Sequence, residues 1–170
     1  MTDEALRSTA SKEIKHHVPE VPDVPKKGIY FKDITPLLED EITSYAPVDG
    51  VSLATQSTRY HRVLSADARG FVFGRTLAYR ANKGPILARK PDKLPQKTFS
   101  ASYELEYVPN ALVVHANSIP AGCHVLVVDD LLAPGGTAHD MSQLVEGSGG
   151  LNGRELLAPY EVASPLTFDE

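Results

Sequence analysis

One short run, Val125-Leu126-Val127-Val128-Asp129-Asp130-Leu131-Leu132-Ala133-Pro134-Gly135-Gly136-Thr137-Ala138, sets an apolar strand, two adjacent acids and a glycine-rich bend in that order. Four apolar, mostly β-branched residues in a row suit a strand covered on both faces of a parallel sheet, and ligands of open α/β sheets bind at the carboxyl ends of such strands. Asp129 and Asp130 fall at that end. Gly135 and Gly136 let the backbone turn with its amides inward, and Thr137 is suited to cap a helix through Ala138, Met141, Leu144 and Val145. A helix N-terminus presents free amides and the positive end of a dipole, so it holds anions. The run lacks the Lys-Ser/Thr ending of a nucleotide triphosphate loop and the spaced glycines of a dinucleotide fold. The ligand it predicts is a sugar phosphate.

Length and composition narrow the setting. A chain of 170 residues, 42% of them hydrophobic, can build one sizeable core and is short for two. Cys123 has no second cysteine to pair with, which suits a reducing, cytoplasmic setting. No apolar run approaches the length of a membrane span, and the start Met-Thr-Asp-Glu is acidic where a signal peptide is basic, so no membrane partner is expected. A net charge of -5 argues against a broad nucleic-acid surface. Arg89, Lys90, Lys93 and Lys97 nevertheless form a local basic excess where a pyrophosphate could bind. The six histidines are scattered, with no spacing like a zinc site.

Along the chain, residues 3–16 could form a short amphipathic helix before prolines at 19, 22 and 25 impose an extended path. Residues 28–31 read as a short strand or loop edge, and Asp33-Ile34-Thr35-Pro36 as a helix start. Residues 40–60 show poor periodicity. Residues 62–66 read as a strand, 70–82 as a helix with Phe71, Leu77, Ala78 and Ala81 available for burial, and 85–88 as a strand, together one βαβ unit. Residues 101–107 alternate apolar and polar, as a half-exposed strand does, with the acids on one face. Residues 112–115 and 125–129 read as strands of a hairpin, joined through the turn signal at 119–122.

Val-Asp-Asp followed by a short Gly-Gly-Thr loop resembles the phosphoribosyl pyrophosphate signature of type I phosphoribosyltransferases. Further segments resemble the adenine phosphoribosyltransferase family: 66–74 (ADARGFVFG), 88–95 (ARKPDKLP) with 101–107 (ASYELEY), 28–36 (GIYFKDITP) and 151–155 (LNGRE). The resemblance covers most of residues 20–160. It implies an α/β fold of the type I phosphoribosyltransferase kind, with a central, mostly parallel sheet flanked by helices. It also implies a single domain over 1–170, with an N-terminal arm or hood at 1–35 and a mobile catalytic loop at 90–110.

The implied activity joins adenine to phosphoribosyl pyrophosphate, giving AMP and pyrophosphate in purine salvage, with Mg2+ bound mainly through the phosphoribosyl pyrophosphate. Carried over residue by residue, the resemblance puts ribose hydroxyls on Asp129 and Asp130 and the 5-phosphate on Ala133, Pro134, Gly135, Gly136 and Thr137. Pyrophosphate falls to Arg69, Arg89 and Lys93, and adenine to Tyr30, Phe31 and Lys32, with Phe31 stacking on the ring. Glu106, beside Tyr107, is the acid expected near purine N7, with Glu104 as the alternative. No protein side chain is expected to bind metal directly, and a homodimer is implied.

Four features depart from the family's pattern. Pro134 stands where threonine is usual and supplies neither hydroxyl nor amide. Gln96 and Val108 replace glycines flanking the mobile loop, Lys32 replaces an arginine, and the stretch from Thr137 to Arg154 is shorter by about a dozen residues, roughly a strand's worth. Two alternatives stay open: another purine phosphoribosyltransferase, for hypoxanthine or guanine, and a non-catalytic regulatory protein that binds phosphoribosyl pyrophosphate.

Overall fold

Val63, Leu64, Ser65 and Ala66 are consecutive and all buried, which a strand achieves only when both faces of its sheet are covered. This strand, Arg62–Ala66 (β3), lies inside a parallel sheet of the computed structural model, which describes residue 14 and residues 16–101, 111–131, 136–150 and 162–163. Two short strands precede it, Glu20–Pro22 (β1) and Tyr30–Lys32 (β2), paired antiparallel with Val21 opposite Phe31. Gly84–Ala88 (β4) and Val125–Val128 (β7) flank β3, both parallel to it, and Val162–Ala163 (β8) adds to β7. The order in this sheet is β4-β3-β7-β8. Thr98–Phe99 (β5) and Val114–His115 (β6) form a separate antiparallel pair.

Helices Thr35–Glu39 (α1), Ala46–Ala54 (α2), Gly70–Arg80 (α3) and Gly136–Gly147 (α4) complete the described elements, with a 3-10 turn at Pro91–Lys93. On one sheet face Val63, Leu126 and Val128 pack with Phe73, Leu77 and Ala78 of α3 and with Leu37, Val48 and Val51. On the other, Leu64, Ala66, Ile86, Ala88 and Val127 pack with Met141, Leu144 and Val145 of α4. The alternation of β3 thus feeds two cores, and each fully buried leucine contributes about 1.5–3 kcal/mol by leaving water. The result is a three-layer α/β/α arrangement, as the strand pattern of residues 62–66 and 125–128 predicts.

Several local expectations need correction. Residues 112–115 and 125–129 do not form a hairpin: β6 pairs with β5, while β7 takes the centre of the parallel sheet between β3 and β8. Burying β7 on both faces outweighs the turn signal at 119–122, which only reverses the chain. Helix α2 falls inside the stretch of poor periodicity; Pro47 near its first turn, with Val48 and Val51 buried, supports it despite Gly50. Phe73 rather than Phe71 enters the core, because Phe73, Leu77 and Ala78 share a helical face with Gly74. Thr137 lies inside the first turn of α4, so it is not the residue before the helix. At α1 the Asp33 carboxylate accepts the Thr35 amide at 2.9 Å, and the Thr35 hydroxyl and amide hold Asp33 below the usual carboxylate range.

Candidate active site

The sheet register brings the candidates to one edge. Ala66 lies opposite Ala88, and Ser65 opposite Val128, so the residues that follow β3, β4 and β7 leave the sheet side by side at its carboxyl end. These are Asp67 to Gly70, Arg89, and Asp129 with Asp130. Helix α3 starts there at Gly70, where an added Cβ would sit 2.8 Å from Asp129 Oδ1, so only glycine allows the helix start to approach the acid this closely. A Cβ at Gly74 would run into Ser65, which sets how tightly α3 lies on the sheet.

Asp129 and Asp130 are each only 6% exposed. The Asp130 amide donates to Asp129 Oδ1 at 3.0 Å. Burial pushes the Asp129 carboxyl up from an ordinary 3.8 to about 7, and the Asp130 charge beside it adds to the shift. Because the folded-state value lies above the unfolded one, the neutral acid favours the fold. That contribution is whole below about pH 4 and is lost as pH rises through about 7. Asp129→Asn is therefore expected to overtake the wild type in stability above pH 7, by on the order of 1–3 kcal/mol, and to fall behind or match it near pH 4. Thermal melts across pH 4–8 check this, and parallel curves for the two proteins contradict it.

Arg69 binds Asp130 through Nε, 2.9 Å from Oδ2. Its Nη1 donates to the Lys32 carbonyl at 3.0 Å, and its guanidinium carbon lies 4.9 Å from the centre of the Phe31 ring. The β1–β2 hairpin is thus brought onto the acids through one arginine. Within that hairpin the Lys32 ammonium pairs with Glu20, while Tyr30 is exposed and Phe31 half-buried. Arg89 turns its Nε to Asp67 Oδ2 at 3.0 Å and its Nη1 to the Lys93 carbonyl at 3.3 Å, fixing the turn after β4 beside the turn after β3.

Of the residues singled out from sequence, Arg69, Asp129, Asp130, Phe31 and Lys32 come together, and Arg89 and Lys93 sit at the neighbouring strand end. Gly136 and Thr137 open α4, and among the described residues no atom lies within 4 Å of a Cβ added at Gly136. Ala133, Pro134, Gly135, Glu104, Glu106 and Tyr107 lie outside the described residues, as do Val108 and Arg154. Sequence reasoning missed Asp67 as the partner of Arg89, although its place just after a buried strand was the available signal. It also missed that Gly70 is shaped to Asp129. His61 and His124 meet at the opposite edge of the sheet, with ring centres 5.2 Å apart. Among the described residues no three His, Cys, Asp or Glu side chains gather as a metal cage.

No protein-family model matches the chain. An adenine phosphoribosyltransferase of Rubrobacter xylanophilus is 52% identical to it over 171 residues, covering 92% of each protein. This chain belongs to the adenine phosphoribosyltransferase family. The crystal structure of the family member from Thermoanaerobacter pseudethanolicus superposes with a TM-score of 0.80 at 40% identity, covering 92% of this chain and 99% of that one. The Saccharomyces cerevisiae member, solved with D-2,5-dideoxy-2,5-imino-altritol 1,6-bisphosphate and adenine, gives a TM-score of 0.75 at 28% identity over 94% of this chain and 99% of that one. The fold is therefore that of type I phosphoribosyltransferases, and the chain is a pentosyl-transferring enzyme of that family.

Proposed function

We propose how the residues at this sheet edge divide the work of the family's reaction, in which adenine and phosphoribosyl pyrophosphate give AMP and pyrophosphate. Asp129 and Asp130 accept the ribose hydroxyls, and the bend 133–137 with the first turn of α4 holds the 5-phosphate through backbone amides. Arg69, Arg89 and Lys93 meet the pyrophosphate, and Phe31 carries the purine with Tyr30 and Lys32 at its edge. What supports this division is the convergence of Phe31, Arg69, Asp129 and Asp130 at the carboxyl end of β7, where α/β sheets bind ligands.

The transition state develops positive charge on the ribose, so positioning and electrostatics carry most of the catalysis. Buried carboxylates beside the sugar and guanidinium groups beside the leaving group match both demands. Glu106, or Glu104 in its place, would protonate purine N7 as the new bond forms, in a site dried by closure of the 90–110 loop. Mg2+ would be carried mainly on the substrate's diphosphate, with no side chain binding it directly, and would neutralise charge on the leaving group.

The reaction is read out by mixing the protein with Mg2+, phosphoribosyl pyrophosphate and, in turn, adenine, hypoxanthine, guanine and orotate. AMP and pyrophosphate from adenine alone are expected. A nucleotide from hypoxanthine or guanine in its place would move the chain to a sister activity. Tight binding of phosphoribosyl pyrophosphate with no product would make it a regulator.

The finer setting is a homodimer in the cytoplasm. Among the described residues no helix is long and apolar enough to cross a membrane, and Cys123 is a buried free thiol. Tyr79 on α3 is 77% exposed, with Val72 two turns before it on the same stripe and Leu87 exposed on the edge strand β4. Such a face supports pairing of two copies. Tyr79→Glu is expected to weaken self-association at least about 10-fold while leaving the fold intact, as read by sedimentation velocity. A wild type that sediments as a monomer would contradict the dimer.

A further inference from the structure

Ser65 stands among Val63, Leu64 and Ala66 in β3, is only 1% exposed, and its hydroxyl oxygen has no hydrogen-bond partner among the described residues. A buried hydroxyl left in that state costs stability that an alanine would not, so its place in the core calls for a reason. The side chain faces α3. A Cβ added at Gly74 would run into Ser65 Oγ and Cβ, and one added at Gly70 would sit 3.8 Å from Ser65 Cβ and 2.8 Å from Asp129 Oδ1. Gly70 and Gly74 lie one turn apart on the same face of the helix, so together they open a slot between α3 and the sheet. Ser65 forms the floor of that slot. The Asp129 carboxylate closes its end toward the site, since Ser65 lies opposite Val128 and Asp129 follows.

Asp129 is short of donors. Its Oδ1 accepts the Asp130 amide at 3.0 Å. The charged groups that act on it are Asp130, which together with burial pushes its carboxyl up to about 7, and Arg69, which pulls it down. A neutral carboxyl is a weaker acceptor for pentose hydroxyls than a carboxylate, so the site gains from any donor that favours the charged form. A serine hydroxyl can turn about its Cα–Cβ bond and supplies one such proton. Resting on the pentose site assigned in the proposed function, we propose that Ser65 is a positioning residue whose hydroxyl turns within the Gly70–Gly74 slot to donate to the Asp129 carboxylate, directly or through one water, holding it charged and oriented for the pentose. A serine that only lets α3 lie close to the sheet would do nothing that alanine does not.

Ser65→Ala removes the hydroxyl and adds no bulk, so the slot and the fold are kept. Two readouts follow its effect on the full chain between about pH 5.5 and pH 8.5: kcat/KM for phosphoribosyl pyrophosphate at saturating adenine, and carbon-13 NMR titration of the Asp129 carboxyl, assigned by its loss in Asp129→Asn. In Ser65→Ala the acid limb of the kinetic profile and the apparent carboxyl midpoint are both expected to move to higher pH by about 0.5 to 1, which is what one hydrogen bond to the charged form is worth. On the acid limb kcat/KM then falls about 3- to 10-fold, and at pH 8.5 it changes by less than about 2-fold. A uniform change in kcat/KM with an unmoved limb and an unmoved carboxyl overturns the proposal and leaves Ser65 a spacer. A carboxyl midpoint that moves while the kinetic limb stays in place also overturns it, because the hydroxyl would then touch Asp129 without serving the pentose. Wild type that makes AMP and shows either of these results loses the role of Ser65 alone. Wild type that makes no AMP loses the functional reading and the role of Ser65 with it.

Discussion

Asp130→Asn is expected to lower kcat/KM for phosphoribosyl pyrophosphate by about 100- to 1,000-fold, the loss that follows when one partner of a shielded charged hydrogen bond is removed. Asparagine keeps the shape of the side chain but gives up the charge and one of the two acceptor oxygens that ribose hydroxyls would use. It also leaves the Arg69 guanidinium without the anion 2.9 Å from its Nε. The substitution is nearly isosteric, so the melting temperature should move little compared with the loss of turnover. Steady-state kinetics with varied phosphoribosyl pyrophosphate check this, and wild-type constants in the variant would remove Asp130 from the pentose site.

Glu106→Gln should act on a different parameter. A positioned general acid typically contributes about 100- to 10,000-fold, and an amide cannot deliver its proton. The expected result is a fall in kcat of that order with the KM for adenine changed by no more than about 3-fold, because the lost interaction belongs to the transition state. Glu104→Gln serves as the control, with kcat close to wild type. A fall confined to Glu104→Gln would transfer the role to Glu104. Wild-type kcat in both variants would remove a carboxylic acid from the purine step.

The sheet was legible because its signal is simple. Val125 to Val128 is a short apolar run, residues 63–66 are small or apolar apart from Ser65, and each stretch is followed by an aspartate, so burial on both faces leaves them no other use. The helix burying Ala138, Met141, Leu144 and Val145 was equally plain, since its period matches one face. Strand partners were less accessible. Nothing between residues 116 and 124 distinguishes a hairpin turn from a loop that sends β7 into the middle of a parallel sheet; that choice depends on β3 offering an open edge far away in sequence. Helix α2 was hidden because Gly50 and β-branched Val48 and Val51 weaken its local preference, and packing on the core supplies what propensity lacks.

At the site, the acids were legible from position alone, as the first polar residues after a buried strand. The Arg69 contacts were not, because they depend on the β1–β2 hairpin arriving from far along the chain and presenting the Phe31 ring and the Lys32 carbonyl together. Asp67 and Arg89 are a similar case: each follows its own strand, and only the register of β3 with β4 makes them neighbours.

A crystal structure of the protein with AMP tests the whole assignment most directly. The account predicts the 5′-phosphate against the bend before α4 and its first turn at Gly136 and Thr137, the ribose hydroxyls on Asp129 and Asp130, and the adenine ring on Phe31. Nucleotide bound away from the carboxyl end of β7, with that edge left to solvent, would contradict it.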